Sequence, residues 1–297
     1  MNIIQHKFTF IIISALLVIA SIVAIGVKGL NFSIEFTEGS LTEIVYEEPV
    51  DPAELTMLLG GFDFSAQVQP FGESGFLIRT RALTEEDRGV MLAVLEQEEN
   101  PYSIERFTTV GPSVGRELRS KAILALLLVA LGIILFVAFV FRHVSRPVSS
   151  WKYGIIAVIA LLHDVIIPLG IFALIGKDIS TLFVVGLLSI LGLSVNDTIV
   201  VFDRIRENLQ DTKEENRYAQ FDETVNTSLR QTLTRSINTS LTLIVVLLAL
   251  MFFGPVATQD LALVLLIGTL LGVYSSIFLA SPLLVIWKGK DTSLEEK

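Results

Sequence analysis

The sequence predicts a polytopic α-helical membrane protein: six transmembrane helices, with one extracytoplasmic α+β domain between the first and the second. Three observations predict it. Of 297 residues, 52% are hydrophobic and only 18% charged, and mean hydropathy is +0.66, too apolar for a soluble domain of this length. Six stretches are apolar enough over about 20 residues to cross a bilayer. Acidic residues gather in one place: 30–118 holds 17 Asp/Glu against 5 Lys/Arg, a net of −12, and the remainder holds 14 against 17, a net of +3.

The spans run over 8–27, 122–141, 153–176, 179–202, 236–254 and 261–287. The first follows His6 and Lys7, as a signal peptide would. Its apolar run is too long for an h-region and ends at no convincing small-x-small site, so it reads as a retained span. Basic residues set the orientation. Arg142, His143, Arg146 and Lys152 lie between spans 2 and 3. Arg204, Arg206, Lys213, Arg217 and Arg230 lie in the loop 203–235, and Lys288 and Lys290 in the tail 288–297. All fall on one side, which places both termini in the cytoplasm and 31–117 outside.

Composition also excludes chemistry. With no cysteine, disulfide scaffolds, thiol enzymes and thiolate metal sites are ruled out, and three histidines without ligand spacing make no zinc site. An acidic island in a slightly basic membrane protein argues against nucleic-acid binding.

The outer region reads β-α-β-β-α-β. Residues 41–48 alternate imperfectly, with Leu41, Glu43, Val45 and Glu47 opposite Thr42, Ile44 and Tyr46. Asp51-Pro52-Ala53-Glu54 opens a helix with an Asp cap and Pro at its first position, and Gly60-Gly61 ends it. Residues 65–70 and 75–81 pair across a Gly/Ser turn. Thr84-Glu85-Glu86-Asp87 starts a second helix, with Val90, Met91, Val94 and Leu95 on one face. Residues 102–110 close as a strand. This is the ferredoxin-like order. It holds no nucleophile beside a base and no phosphate loop, so the chain is read as non-enzymatic. The acids form a solvated face or a docking surface.

Two spans carry buried charge. Asp164, preceded by His163, lies mid-way in span 3. Asp197 sits in span 4 within Ser194-Val195-Asn196-Asp197-Thr198, on the order of 10 Å inside Arg204. Span 5 opens on a polar turn with Arg235, Asn238, Thr239, Ser240 and Thr242. An Asp at helix-centre depth costs about 2.5–3.5 kcal/mol, so two kept there point to a polar seam between helices. A buried carboxylate that gains and loses an Arg neighbour binds and releases a proton in turn, and Arg keeps its own charge throughout. Asp197 is therefore read as proton carrier, Arg235 as its switchable partner, and Asp164 as a second relay or a structural anchor; Asn196, Asn238, Thr239 and Ser240 support the seam. Static pairing that locks helix packing is the alternative. His163, adjacent in sequence to Asp164, is read as pointing elsewhere in a structural role. Gly268, Gly272 and Ser276 recur every fourth residue in span 6 as a packing face, and Gly186, Ser189, Leu193 and Asn196/Asp197 follow a helical ridge in span 4. The span 5 hydroxyls wet the seam or bond back to their own carbonyls.

The run 194–208, Ser-Val-Asn-Asp-Thr-Ile-Val-Val-Phe-Asp-Arg-Ile-Arg-Glu-Asn, resembles the signature of the SecF family, accessory membrane proteins of the Sec translocon within the RND-type transporters. Residues 110–118, Val-Gly-Pro-Ser-Val-Gly-Arg-Glu-Leu, and Leu162-His163-Asp164-Val165 resemble it too. The resemblance covers nearly the whole chain. It implies a SecD partner, work beside the SecYEG channel on a translocating preprotein, coupling to proton-motive force, and a place in a bacterial or archaeal cytoplasmic membrane. It also implies that Asp197 and Arg235 correspond to the family's proposed proton pathway. Sodium in place of protons stays open, since a carboxylate among hydroxyls holds either. One motif departs: the family's Asn-Phe-Gly-Ile-Asp-Phe-Thr-Gly-Gly-like run reads Asn31-Phe32-Ser33-Ile34-Glu35-Phe36-Thr37-Glu38-Gly39, two glycines fewer. A small-molecule or lipid exporter of RND type and a purely structural scaffold are the other readings. The one is separated by co-isolation with SecD and the channel, the other by tolerance of Asn or Gln at the membrane charges.

Overall fold

The computed structural model describes residues 3–62, 64–96, 100–141, 147–213 and 216–288. The chain divides into two compact units, one of residues 1–31 with 124–297, the other of residues 32–123. Arg142, His143, Arg146, Lys290 and nearly all of the expected tail 288–297 lie outside the described residues.

Among the described residues, six helices are long and apolar enough to cross a membrane. Span 1 is Lys7–Lys28, span 2 Pro112–Val140, span 3 Ser150–Ile175, span 4 Thr181–Gln210 and span 5 Phe221–Phe253. Span 6 is not one regular helix: Val256–Ser275 passes through a π-helical turn, Ser276–Ala280, into Ser281–Ile286, with Pro282 in the first turn of the last segment. Spans 4 and 5 overrun the apolar stretches that marked them, so much of 203–235, read as a loop, is helix. Hydropathy ends at Arg204 and begins at Ser236, whereas helical hydrogen bonding continues wherever residues of fair helix propensity follow.

Spans 3, 4 and 6 make the centre of the membrane unit; about half of each apolar window is buried (56%, 44% and 44%), against 6% in span 2. Glycine sets the closest approaches. A Cβ on Gly268 would lie 2.2 Å from Ile190 Cδ1, one on Gly186 2.4 Å from Val264, and one on Gly272 3.2 Å from Ser194 Cβ, so spans 4 and 6 meet nearly backbone to backbone. Of the ridge expected in span 4, Gly186 is buried and Asp197 half-buried, while Ser189, Leu193 and Asn196 are exposed, and Ser189 bonds its own Val185 carbonyl. At one end Phe141 and Tyr153 stack at 5.2 Å, with Phe202 edge-on to both. Near it, Asp222 of span 5 accepts from Lys7 at 3.2 Å and from Lys288 at 2.8 Å, clamping the start of span 1 and the end of span 6.

The second unit is a four-stranded antiparallel sheet with two helices: β1 (Gly39–Tyr46), α1 (Pro52–Gly60), β2 (Gln67–Phe71), β3 (Gly75–Thr80), α2 (Glu85–Leu95) and β4 (Tyr102–Val110). Strand order is β2-β3-β1-β4. Ser40 faces Thr80 and Val45 faces Gly75 across β1–β3, and a bulge beside Glu43 and Ile44 shifts the β1–β4 register. The caps are as their residue types dictate: Asp51 accepts from Ala53 N at 2.8 Å, and Thr84 and Asp87 form a capping box. Ile44, Tyr46, Leu55, Leu59, Phe76, Ile78, Met91, Val94 and Leu95 fill the core. Val90, expected there, is 41% exposed; the i, i+1 pair Val90–Met91 spans too wide an arc for both to face inward.

Where the chain departs from the glycine-rich run, Ser33 caps a single helical turn, Ile34–Thr37, and Glu38 follows at φ 114°, ψ 154°, a conformation glycine adopts freely and other residues resist. Gly39 holds φ 134°, and a Cβ there would sit 2.5 Å from the Thr80 carbonyl oxygen. The turn keeps a glycine geometry with a glutamate in it.

Candidate functional site: a polar seam between spans 4, 5 and 6

The helical spacing that places Asp197 one turn after Ser194 points both toward spans 5 and 6. Together with Asn196, Thr239, Ser240, Gly268, Thr269 and Gly272 they line a cavity of about 80 Å³. Its wall is thin in side chains because Gly268 and Gly272 contribute none, and it has room for a few waters. Asp197 is half-buried. Among the described residues its carboxylate forms no direct ion pair with Arg235, yet the guanidinium is near enough to act on it electrostatically.

The supporting residues divide. Ser240 is buried and Thr239 reaches the cavity while also bonding the Arg235 carbonyl at 2.9 Å. Thr242 bonds back to the Asn238 carbonyl at 2.6 Å. Bonding back to a carbonyl of the same helix therefore holds for both threonines, and Thr239 lines the cavity as well. Arg235, Asn238 and Asn196 are exposed in the isolated chain, Asn196 lining the mouth of the cavity. Ser276 packs as expected and does more: its Oγ lies 2.9 Å from Thr198 Oγ1 and donates to the Gly272 carbonyl.

Asp164 is not part of this cavity. It is fully buried, its Oδ2 accepting from Ser194 Oγ and from Ser275 Oγ at 2.7 Å. The reading of His163 as pointing away is corrected: its Nδ1 lies 2.8 Å from Asp164 Oδ1. Adjacent residues diverge on a helix by about 100°, but the imidazole bends back along the helix surface, and Tyr274 stacks on it at 5.9 Å. Ser275 and Ser194 were missed as ligands of Asp164. Ser194 stood inside the quoted signature; for Ser275, 111 residues away, the one signal was a polar residue flanking the small-residue face.

Residues 90–290 match the family described as protein export membrane protein SecD/SecF, C-terminal. The protein translocase subunit SecF of Thermobaculum terrenum is 42% identical over 308 residues, covering 98% of this chain and 95% of its own. The SecF of Pseudomonas aeruginosa is 34% identical over 278 residues, covering 91% and 87%. The SecDF of Thermus thermophilus is 35% identical over 311 residues, where the alignment takes in 99% of this chain but 40% of that longer one. The crystal structure of that SecDF, described as a translocon-associated membrane protein, superposes with a TM-score of 0.86 at 34% identity over 97% of this chain and 38% of the other. A second SecDF structure, in a super-membrane-facing form, gives 0.70 over 100% of this chain and 40% of the other. This chain therefore belongs to the SecD/SecF family of protein export membrane proteins.

Proposed function

We propose that this chain is a non-enzymatic, SecF-type accessory subunit of the protein-export machinery. With a SecD partner, and beside the SecYEG channel, it uses proton-motive force to draw a translocating preprotein outward. The fusion of the two parts in the SecDF relative supports the SecD pairing. The basic linkers support cytoplasmic termini, and the acidic second unit, whose β2-β3-β1-β4 antiparallel order fits a ferredoxin-like domain, then lies outside as a lever on the emerging chain.

One observation carries the mechanism: a membrane carboxylate, Asp197, in a small cavity walled by leucines and glycines as well as hydroxyls, with the Arg235 guanidinium acting on it electrostatically and, among the described residues, no ion pair between them. An approach of Arg235 favours the ionised carboxylate and releases a proton; its withdrawal favours uptake. A proton descending the membrane potential supplies about 2.3 kcal/mol per 100 mV, enough to bias two conformations by well over tenfold. Thr239 and Ser240 give waters in the cavity hydrogen-bond partners.

The test is export of a secreted reporter in cells depleted of this protein and supplied with the native chain or with Asp197→Asn at equal level. Rescue by the native chain alone is expected. Equal rescue would make Asp197 a packing residue, and failure of both would bring the RND-type exporter reading forward. Abolition of the native rescue by a protonophore, with sodium held constant, assigns the ion to protons; insensitivity to it points to sodium.

A further inference from the structure

The deepest polar cluster of the membrane unit is not the Asp197 cavity. It is Asp164 with His163, and the proton cycle above gives it no part. Asp164 has two serine hydroxyls on one oxygen and the imidazole on the other, and among the described residues no lysine or arginine pairs with it. Among the described residues, the groups that bond to or stack on the pair are uncharged: Ser194 from span 4, Tyr274 and Ser275 from span 6, and, through the Tyr274 hydroxyl, Ser14 and the Phe10 carbonyl of span 1. Asp197 follows Ser194 by three residues in span 4.

A carboxylate with no cation in such surroundings is strongly disfavoured. One proton shared by carboxylate and imidazole removes the net charge, whichever atom carries it. Ser194 connects this pair to the first site, because its hydroxyl bonds Asp164 while the same residue lines the Asp197 cavity. Both supporting helices are irregular at this point. Pro168 has no N–H for the Asp164 carbonyl four residues back, and Ser275 directly precedes the π-helical turn, a feature found often at functional sites. His163 Nε2 is buried without a hydrogen-bond partner, so the pair keeps one open hydrogen-bonding position.

We infer that His163 and Asp164 form a second proton-holding site, in exchange with the Asp197 cavity through the Ser194 hydroxyl. In the transfer step Ser194 Oγ gives its proton to Asp164 Oδ2 as it takes one from a hydronium in the cavity. One O–H bond breaks and one forms at Oγ, the hydroxyl is regenerated, the carboxylate becomes a carboxylic acid, and the hydronium becomes water. Ser194 Oγ carries the proton in this step, and the use of this site in export rests on the Asp197 reading.

The test is infrared difference spectroscopy, between low and high pH, of the full chain with its SecD-type partner in lipid nanodiscs. Two protonated-carboxyl bands are expected in the membrane region, one lost in Asp197→Asn and the other in Asp164→Asn. Ser194→Ala should shift the Asp164 band and slow its hydrogen–deuterium exchange at least tenfold; this variant removes one atom and carries the test alone if Asp164→Asn does not assemble. A native spectrum in which Asp164→Asn removes no titrating band, or exchange unchanged in Ser194→Ala, overturns the inference. The bands are read without export, so normal export by Asp197→Asn would sink the coupling mechanism and leave this site standing.

Discussion

Glu38 sits where the chain leaves the pattern of its family, and its backbone gives a measurable prediction. At φ 114°, ψ 154° it occupies a region open essentially to glycine. Such a residue carries about 1–3 kcal/mol of local strain. Replacing it with glycine removes that strain and restores freedom to the unfolded chain, a loss of about 0.4–1 kcal/mol. Glu38→Gly should therefore stabilise the second unit by about 1 kcal/mol net, a roughly fivefold change in an opening equilibrium. Amide hydrogen exchange of β1 and β4 in the full chain, in lipid, reads this directly as about fivefold slower exchange. The neighbouring substitution is the control. Gly39→Ala places a Cβ 2.5 Å from the Thr80 carbonyl oxygen at φ 134°, and should accelerate the same amides by a factor corresponding to at least about 2 kcal/mol. Unchanged or faster exchange in Glu38→Gly would refute the reasoning, since neither burial nor any contact of Glu38 enters it.

Gly268→Ala drives a Cβ to 2.2 Å from the fully buried Ile190, so overpacking of about 1–3 kcal/mol outweighs the helix-propensity gain of about 1 kcal/mol, whereas Gly272→Ala, at 3.2 Å from Ser194, stays near neutral; denaturant unfolding in detergent should rank them so, and Ile190→Ala should partly rescue the first. The Arg81 guanidinium, with Thr84, holds the Asp87 carboxyl down at about 2, so its contribution is full above the ordinary carboxylate value and lost as pH falls from about 4 toward about 2. Asp87→Asn should flatten the acid limb of exchange at α2 in that window. Glu43 is opposite in sign: burial, opposed by Arg106 and reinforced by Glu105, raises its carboxyl, so stability is lost as pH rises through the folded value. Glu43→Gln should remove that loss and make β1 amides better protected at neutral pH.

Local chemistry made much of the fold legible. Asp51-Pro52 and Thr84 with Asp87 name their helices' first turns because a cap is a contact within four residues, and Tyr102–Val110 appeared at its full extent. The membrane helices were legible as runs of hydropathy, but their ends were not, because a helix leaving the bilayer changes its solvent and not its hydrogen bonding. Asp197 and Arg235 stood out on charge alone, there being few charges within the apolar runs. The Asp164 cluster did not. It joins residues on three helices, and its ring partner His163 depends on a side-chain rotamer that no periodicity encodes. The π-helical turn is likewise set by how span 6 fits its neighbours.

Span 5 has a consequence of scale. Its 33 residues make a rod about 50 Å long, against a hydrocarbon layer of about 30 Å. Arg235 lies fourteen positions along it, with Asp222 near the tip held between Lys7 and Lys288. A rod pivoting near its middle moves its ends in opposite directions, so on the proposed cycle a small retreat of the guanidinium from Asp197 would be magnified at Asp222. The two lysines on Asp222 would then resist that movement, and loosening them would change how readily Arg235 moves.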